Sequence, residues 1–98
     1  MRFKNSSLTD FGDGTVFFSC CLSWHFREEL KLGSEYQDNY EVEDRLIKAG
    51  VVRADQCDSE SCEFVAYFDS REEGEQFISR LNQYIQDKQQ ALAAVRAL

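Results

Sequence analysis

The sequence predicts an α+β fold, a two-layer sandwich in the order ββαββα. Three observations carry this. Val16, Phe18, Cys20, Leu22, Trp24 and Phe26 alternate without a break, the period-two pattern of a half-buried strand. Phe77, Leu81, Tyr84, Ile85, Leu92 and Val95 recur at three-, four- and seven-residue spacings, the pattern of an amphipathic helix. Clusters of turn-forming residues, Asp10 to Gly14 and Cys57 to Ser61, sit where two hairpins would reverse.

Residues 2–8 form a weak first strand, followed by the Gly12/Gly14 turn and the alternating run to Phe26. A charged connection ends at Gly33-Ser34. Ser34 with Gln37 fits a capping box, Tyr36, Tyr40, Val42, Leu46 and Ile47 follow at roughly helical spacing, and Gly50 suits a C′ position; a helix over 35–49 results. Val51 to Gln56 and Cys62 to Phe68 read as a second hairpin, with Cys62, Phe64, Ala66 and Phe68 on one face and Glu63, Val65 and Tyr67 on the other. Ser70 and Glu73 form a second capping box, with acids in the first turn where the helix dipole favours them. That helix is expected to reach residue 96, about 40 Å at 1.5 Å per residue. Two helices on one face of a four-stranded, mostly antiparallel sheet satisfy the layer rule and are ferredoxin-like in outline, with an extra strand at the start and none to close the sheet.

Ninety-eight residues make a single domain, 1–98, and a composition 43% hydrophobic and 13% aromatic is enough for a core. The segment after Met1 is polar rather than an apolar signal core, and no stretch is long enough to span a bilayer. The expected setting is the cytoplasm, with reduced thiols and no membrane partner.

Charge is unevenly spread. The net charge is −7, yet Glu28 to Glu75 holds 15 acids against 5 bases, while the flanks are net positive. Such a surface repels nucleic acid and anionic lipid and attracts basic protein surfaces. Glu35, Asp38, Glu41, Glu43 and Asp44 on the first helix, with Asp58 and Glu60 at the hairpin tip, are the candidate partner-binding residues; an ordinary solvated face is the competing reading. No D-x-[DN]-x-[DN]-G run is present for an EF-hand, and no phosphate-loop, dinucleotide or nucleophile-elbow motif occurs. No cofactor is expected.

Cys20, Cys21, Cys57 and Cys62 with His25 would suffice as zinc ligands, but adjacent strand cysteines point to opposite faces, and Cys21 and His25 lie roughly 13 Å apart along a strand. A hairpin tip would let Cys57 and Cys62 approach disulfide range, but plain reduced side chains are the expectation. His25 as a general base lacks a partner in reach on its own strand. The outward sheet face would show Phe17, Cys21, His25, Val65 and Tyr67. Exposed aromatics there suit RNA stacking, but the basic residues that accompany it are missing, so a dimer or docking face is the better expectation. Residues 91–98, with Leu92 and Val95, are a candidate oligomerisation extension.

These readings give a leading expectation and two alternatives. The first is a small acidic, non-catalytic protein-binding module, most sharply an inhibitor whose carboxylates occupy the Lys/Arg groove of a nucleic-acid-handling protein; phage-encoded antagonists such as anti-CRISPR proteins are often small, acidic and α+β, an analogy of type alone. The second is a homodimeric structural or regulatory domain. The third is a metal or thiol site on Cys21, His25, Cys57 and Cys62.

Overall fold

A computed structural model describes residues 2–97. The described residues are α+β, with three strands in the order β1-β2-β3, all antiparallel, and three α-helices. Strand β1 is Thr9–Asp10, β2 is Val16–Cys20 and β3 is Phe64–Phe68. Helix α1 (Leu22–Trp24) runs into a π-helical turn over His25–Glu29, α2 is Asn39–Lys48, and α3 is Arg71–Arg96.

The inner face of the sheet follows the predicted alternation. Val16 pairs with Phe68 and Phe18 with Ala66, and all four side chains are buried. Phe77 of α3 lies over them, its ring 5.3 Å from Phe18, 5.0 Å from Phe68 and 6.1 Å from Phe64. Helix α3 starts as expected: Ser70 accepts the Glu73 N–H, and Glu73 accepts the Asp69 N–H. One turn on, Gly74 is buried because a Cβ there would sit 2.7 Å from Val16 and 3.0 Å from Leu8, so the bare backbone lets the helix approach the sheet.

Six expectations are corrected. The four-stranded, ferredoxin-like sandwich does not form. Residues 2–8 are not a strand. The side chain of Asn82 accepts the Arg2 and Phe3 N–H groups and donates to the Phe3 carbonyl, satisfying this backbone without a neighbouring strand, and a 3-10 turn follows at Asn5–Ser7. Val51 to Gln56 is not a strand either. Gly50 at φ 75° and a Val51 N–H bonded to Leu46 close α2 in a Schellman motif. Val51 and Val52 are then both buried, which a period-two strand forbids, and Ala54–Gln56 is a 3-10 turn. The second hairpin shrinks to isolated bridges, Cys57 with Ala66 and Glu60 with Glu63, around a Ser61-Cys62 turn that leaves Cys62 exposed.

The long alternating strand also stops early, at Cys20. Beyond it Ser23 is buried and Trp24 exposed, the reverse of the alternation. Leu22 and Phe26 are both fully buried because they are four apart on a helical turn, a spacing that period two also permits. Cys21 and His25 are therefore not part of the sheet face. Finally, α2 begins four residues later than Ser34 suggested. Asp38 is its cap, accepting the Glu41 N–H at 2.9 Å, while Tyr36 precedes the helix, wholly buried, with its hydroxyl 2.6 Å from that of Tyr84.

This architecture separates two classes of hydrophobic residue. Phe77→Ala should lower the unfolding free energy by about 3–5 kcal/mol, and Val95→Ala, on the exposed end of α3, by less than about 0.5 kcal/mol, each read as a shift of the urea midpoint.

Candidate acidic docking site

The acids are brought together by one buried side chain. Asn39, at the start of α2, is 0% exposed. Its Oδ1 accepts the Ser23 N–H at 3.0 Å, and its Nδ2 donates to the Ser61 carbonyl at 3.0 Å and approaches Cys21 Sγ at 3.8 Å. Its own N–H also donates to Ser61. The 57–63 segment is thereby tied to the N-terminus of α2. On the other side that segment lies along β3, with the Asp58 N–H on the Val65 carbonyl and the Val65 N–H on Ser59 Oγ. Glu43 reaches the same segment, since its carboxylate acts on Cys57.

The seven predicted partner-binding residues fall into distinct groups. Glu41 pairs with Arg45 at 3.0 Å and Asp44 with Lys48 at 2.9 Å, so both spend their charge along the helix. Asp38 is engaged as the cap, and Glu35 lies against Gly33, which has no Cβ to meet its carboxylate. Glu43, Asp58 and Glu60 have no ion-pair partner among the described residues; Asp58 and Glu60 are exposed and Glu43 half-buried. Glu43, Asp58 and Glu60 form the candidate docking face. Tyr40, 52% exposed on the solvent side of α2, belongs to this region and was missed, because at helical spacing it reads as core.

The predicted sheet-face residues form a second patch. Phe17 pairs with Tyr67 across β2 and β3, their rings 6.1 Å apart, and Val65 is half-buried beside them. Phe11 joins them, 4.9 Å from Phe17 and 6.1 Å from Tyr67. Its signal was available in the sequence: Thr9 pairs with Phe17, so Phe11 continues the alternation on the same face. Leu92 and Val95 lie elsewhere, near the end of α3, where Leu92 packs against the core edge and Val95 is 67% exposed; Leu98 of the expected extension lies outside the described residues.

The thiols and His25 do not converge. All four cysteines are free, and among the described residues no group of three or more His, Cys, Asp or Glu side chains is placed to hold a metal ion. Burial raises Cys20 to about 11 and, with Glu43 and Asp55 adding, Cys57 to about 12. Cys21 differs. Burial raises it, but the Trp24 N–H, the Ser23 hydroxyl, the Asn39 amide and the Arg27 charge outweigh burial and lower its pKa. His25 Nδ1 faces the Glu29 carboxylate, which Arg2 also engages; burial first, then Arg2, holds the ring below the usual histidine range. A cleft of about 480 Å³ beside the π-helical turn is lined by Arg27, Glu28, Lys31, Gly33, Ser34 and Gln37, with neither His25 nor a cysteine in its wall.

Among the described residues no helix is long and apolar enough to cross a membrane. A scan against protein-family models, a search of curated proteins and a search of solved structures each find no match to this chain.

The thiol environments set an order of reactivity. At neutral pH, iodoacetamide should label Cys21 well before Cys20 and Cys57, as read by peptide mass spectrometry over time. Labelling of Cys57 as fast as Cys21 would contradict the burial described.

Proposed function

We propose that this chain is a non-catalytic binding module that docks on a basic protein surface through Glu43, Asp58 and Glu60. The observation that carries the reading is the Asn39 linkage, which sets the 57–63 turn beside α2 so that carboxylates far apart in sequence share one region. These carboxylates lack cations of their own, so a partner's Lys and Arg side chains can complete them, and the net charge of −7 steers such a partner in. In its sharpest form the module is an inhibitor. Its carboxylates occupy the groove in which a nucleic-acid-handling protein holds phosphates, in the manner of anti-CRISPR proteins, inside a cytoplasm shared with that target. A basic groove rewards negative charge that has no cation of its own, and Glu43, Asp58 and Glu60 take part in no ion pair among the described residues.

The test is a titration of the labelled chain against a histone as basic probe, at about 50 mM and about 500 mM salt, with duplex DNA as competitor. Binding should weaken steeply with salt, and DNA should displace the chain. Glu43→Lys with Asp58→Lys and Glu60→Lys should weaken binding by at least about tenfold while leaving the unfolding free energy within about 1 kcal/mol, since Asp58 and Glu60 are exposed and Glu43 is only half-buried. Unchanged affinity in the triple variant contradicts the proposal.

A homodimer is the second reading, and the end of α3 favours it. Past Ile85 no residue of the helix is fully buried, and isolated helical turns of this length are marginal in water. Ending the chain after Gln90 should then lower the solution mass from dimer to monomer; equal oligomeric state in both chains removes this reading.

A further inference from the structure

The open face of the sheet carries more than an apolar patch. Phe11 is 54% and Tyr67 43% exposed, and with Phe17 they make a three-ring cluster across all three strands. Helix α3 covers the opposite face through Phe77, so these rings face away from the core. The alternation that places Val65 and Tyr67 here continues to Glu63 before β3 and Asp69 after it, both exposed. Asp58 flanks the other edge of β3, bonded to Val65, and Asp13 sits in the turn that follows Phe11. Arg71, which reaches Asp10 of β1, is held by Asp10 and Glu75. Carboxylates therefore border the rings, and the Arg71 cation beside Asp10 is already paired.

That combination selects among occupants. A second copy would set one acidic border against another, and like charges oppose it. A nucleic acid would stack on the rings but bring phosphates against the same carboxylates. A basic polypeptide satisfies both parts. Within that class the rings discriminate, because a guanidinium stacks flat on an aromatic face and forks to a carboxylate, whereas an ammonium is a compact, strongly hydrated point charge.

We infer that the Phe11–Phe17–Tyr67 face is a docking platform for an arginine-bearing basic segment of another protein, its guanidinium groups stacking on the rings and pairing with the surrounding carboxylates. The inference rests on the basic-partner reading and shares Asp58 with its docking face. It adds what carboxylates alone do not confer, a preference for arginine over lysine.

The experiment titrates two peptides of equal length and charge, one of alternating arginine and glycine and one of alternating lysine and glycine, into the isotope-labelled full chain, followed by NMR. The arginine peptide should bind about tenfold more tightly and shift the resonances of Phe11, Phe17 and Tyr67. Phe11→Ala with Tyr67→Ala should abolish that preference while both peptides keep the salt-sensitive binding that Glu43, Asp58 and Glu60 supply. The shifts in the unmodified chain test the platform even where the double variant fails to fold. Equal affinities, shifts confined to other residues, or a preference that survives in the folded double variant overturn the inference. So does concentration-dependent dimerisation that shifts the same three rings, or equally tight binding of a single-stranded RNA oligonucleotide to them. The two readings fail differently. Equal arginine and lysine affinities with sensitivity to Glu43→Lys, Asp58→Lys and Glu60→Lys intact sink the platform alone, whereas binding of neither peptide sinks both.

Discussion

The geometry of the charged surface depends on the side chain of Asn39. A fully buried amide has to find partners for its donors and its acceptor, and here the partners lie on two separate parts of the chain, Cys21 to Ser23 and Ser61. The Ser23 N–H fixes where β2 turns into α1. The Ser61 carbonyl fixes the 57–63 segment against α2. Without this amide the turn carrying Asp58 and Glu60 would keep its bonds to β3 and the longer backbone bond from Asn39 to Ser61, but would lose the 3.0 Å side-chain bond, and the first turn of α2 would lose its link to Ser23. A polar group at the junction sets a unique arrangement where apolar packing alone would leave the turn free to slide.

Around that junction the acids divide by whether the fold already uses them. Helix α2 spends Glu41 and Asp44 on its own cations and Asp38 on its own N-terminus. Exposed pairs of this kind contribute little stability, but they remove charge from the surface. Among the acids left without an ion pair are Glu43 and, along the turn that follows Cys57, Asp58, Glu60 and Glu63. The same edge of β3 leads onto the aromatic face, so the acid-rich turn and the exposed rings are neighbours. A surface with both features suits basic partners for two independent reasons, long-range attraction and short-range stacking.

Much of this was legible in the sequence, and the failures share a cause. Helix α3 and its Ser70 cap followed from spacing and capping chemistry, and the inner face of β2 and β3 followed from alternation, because a single dominant contact, Phe77 on the sheet, decides both. The sequence misled where a side chain rather than a neighbouring strand satisfies the backbone. Asn82 does this for residues 2 and 3, and Asn39 for the turn after Cys20, and neither asparagine is marked by any local pattern. Leu22 and Phe26 fit both periods, so alternation could not tell strand from helix there. Val51 and Val52 have strand propensity, yet the Schellman closure of α2 buries both at once. Of the candidate site, the residue types and the helical pairing of Glu41 with Arg45 were legible; the tie that sets the turn after Cys57 beside α2 was not, because it runs through the side chain of Asn39.

The most direct measurement is carbodiimide coupling of the chain to the basic protein it captures from a lysate at low salt, with the cross-linked carboxylates mapped by mass spectrometry. The account predicts a captured nucleic-acid-handling protein that high salt releases, joined through Glu43, Asp58 and Glu60. Cross-links confined to the acids of α3, such as Glu72, Glu73 and Asp87, or capture that salt does not reverse, would contradict it.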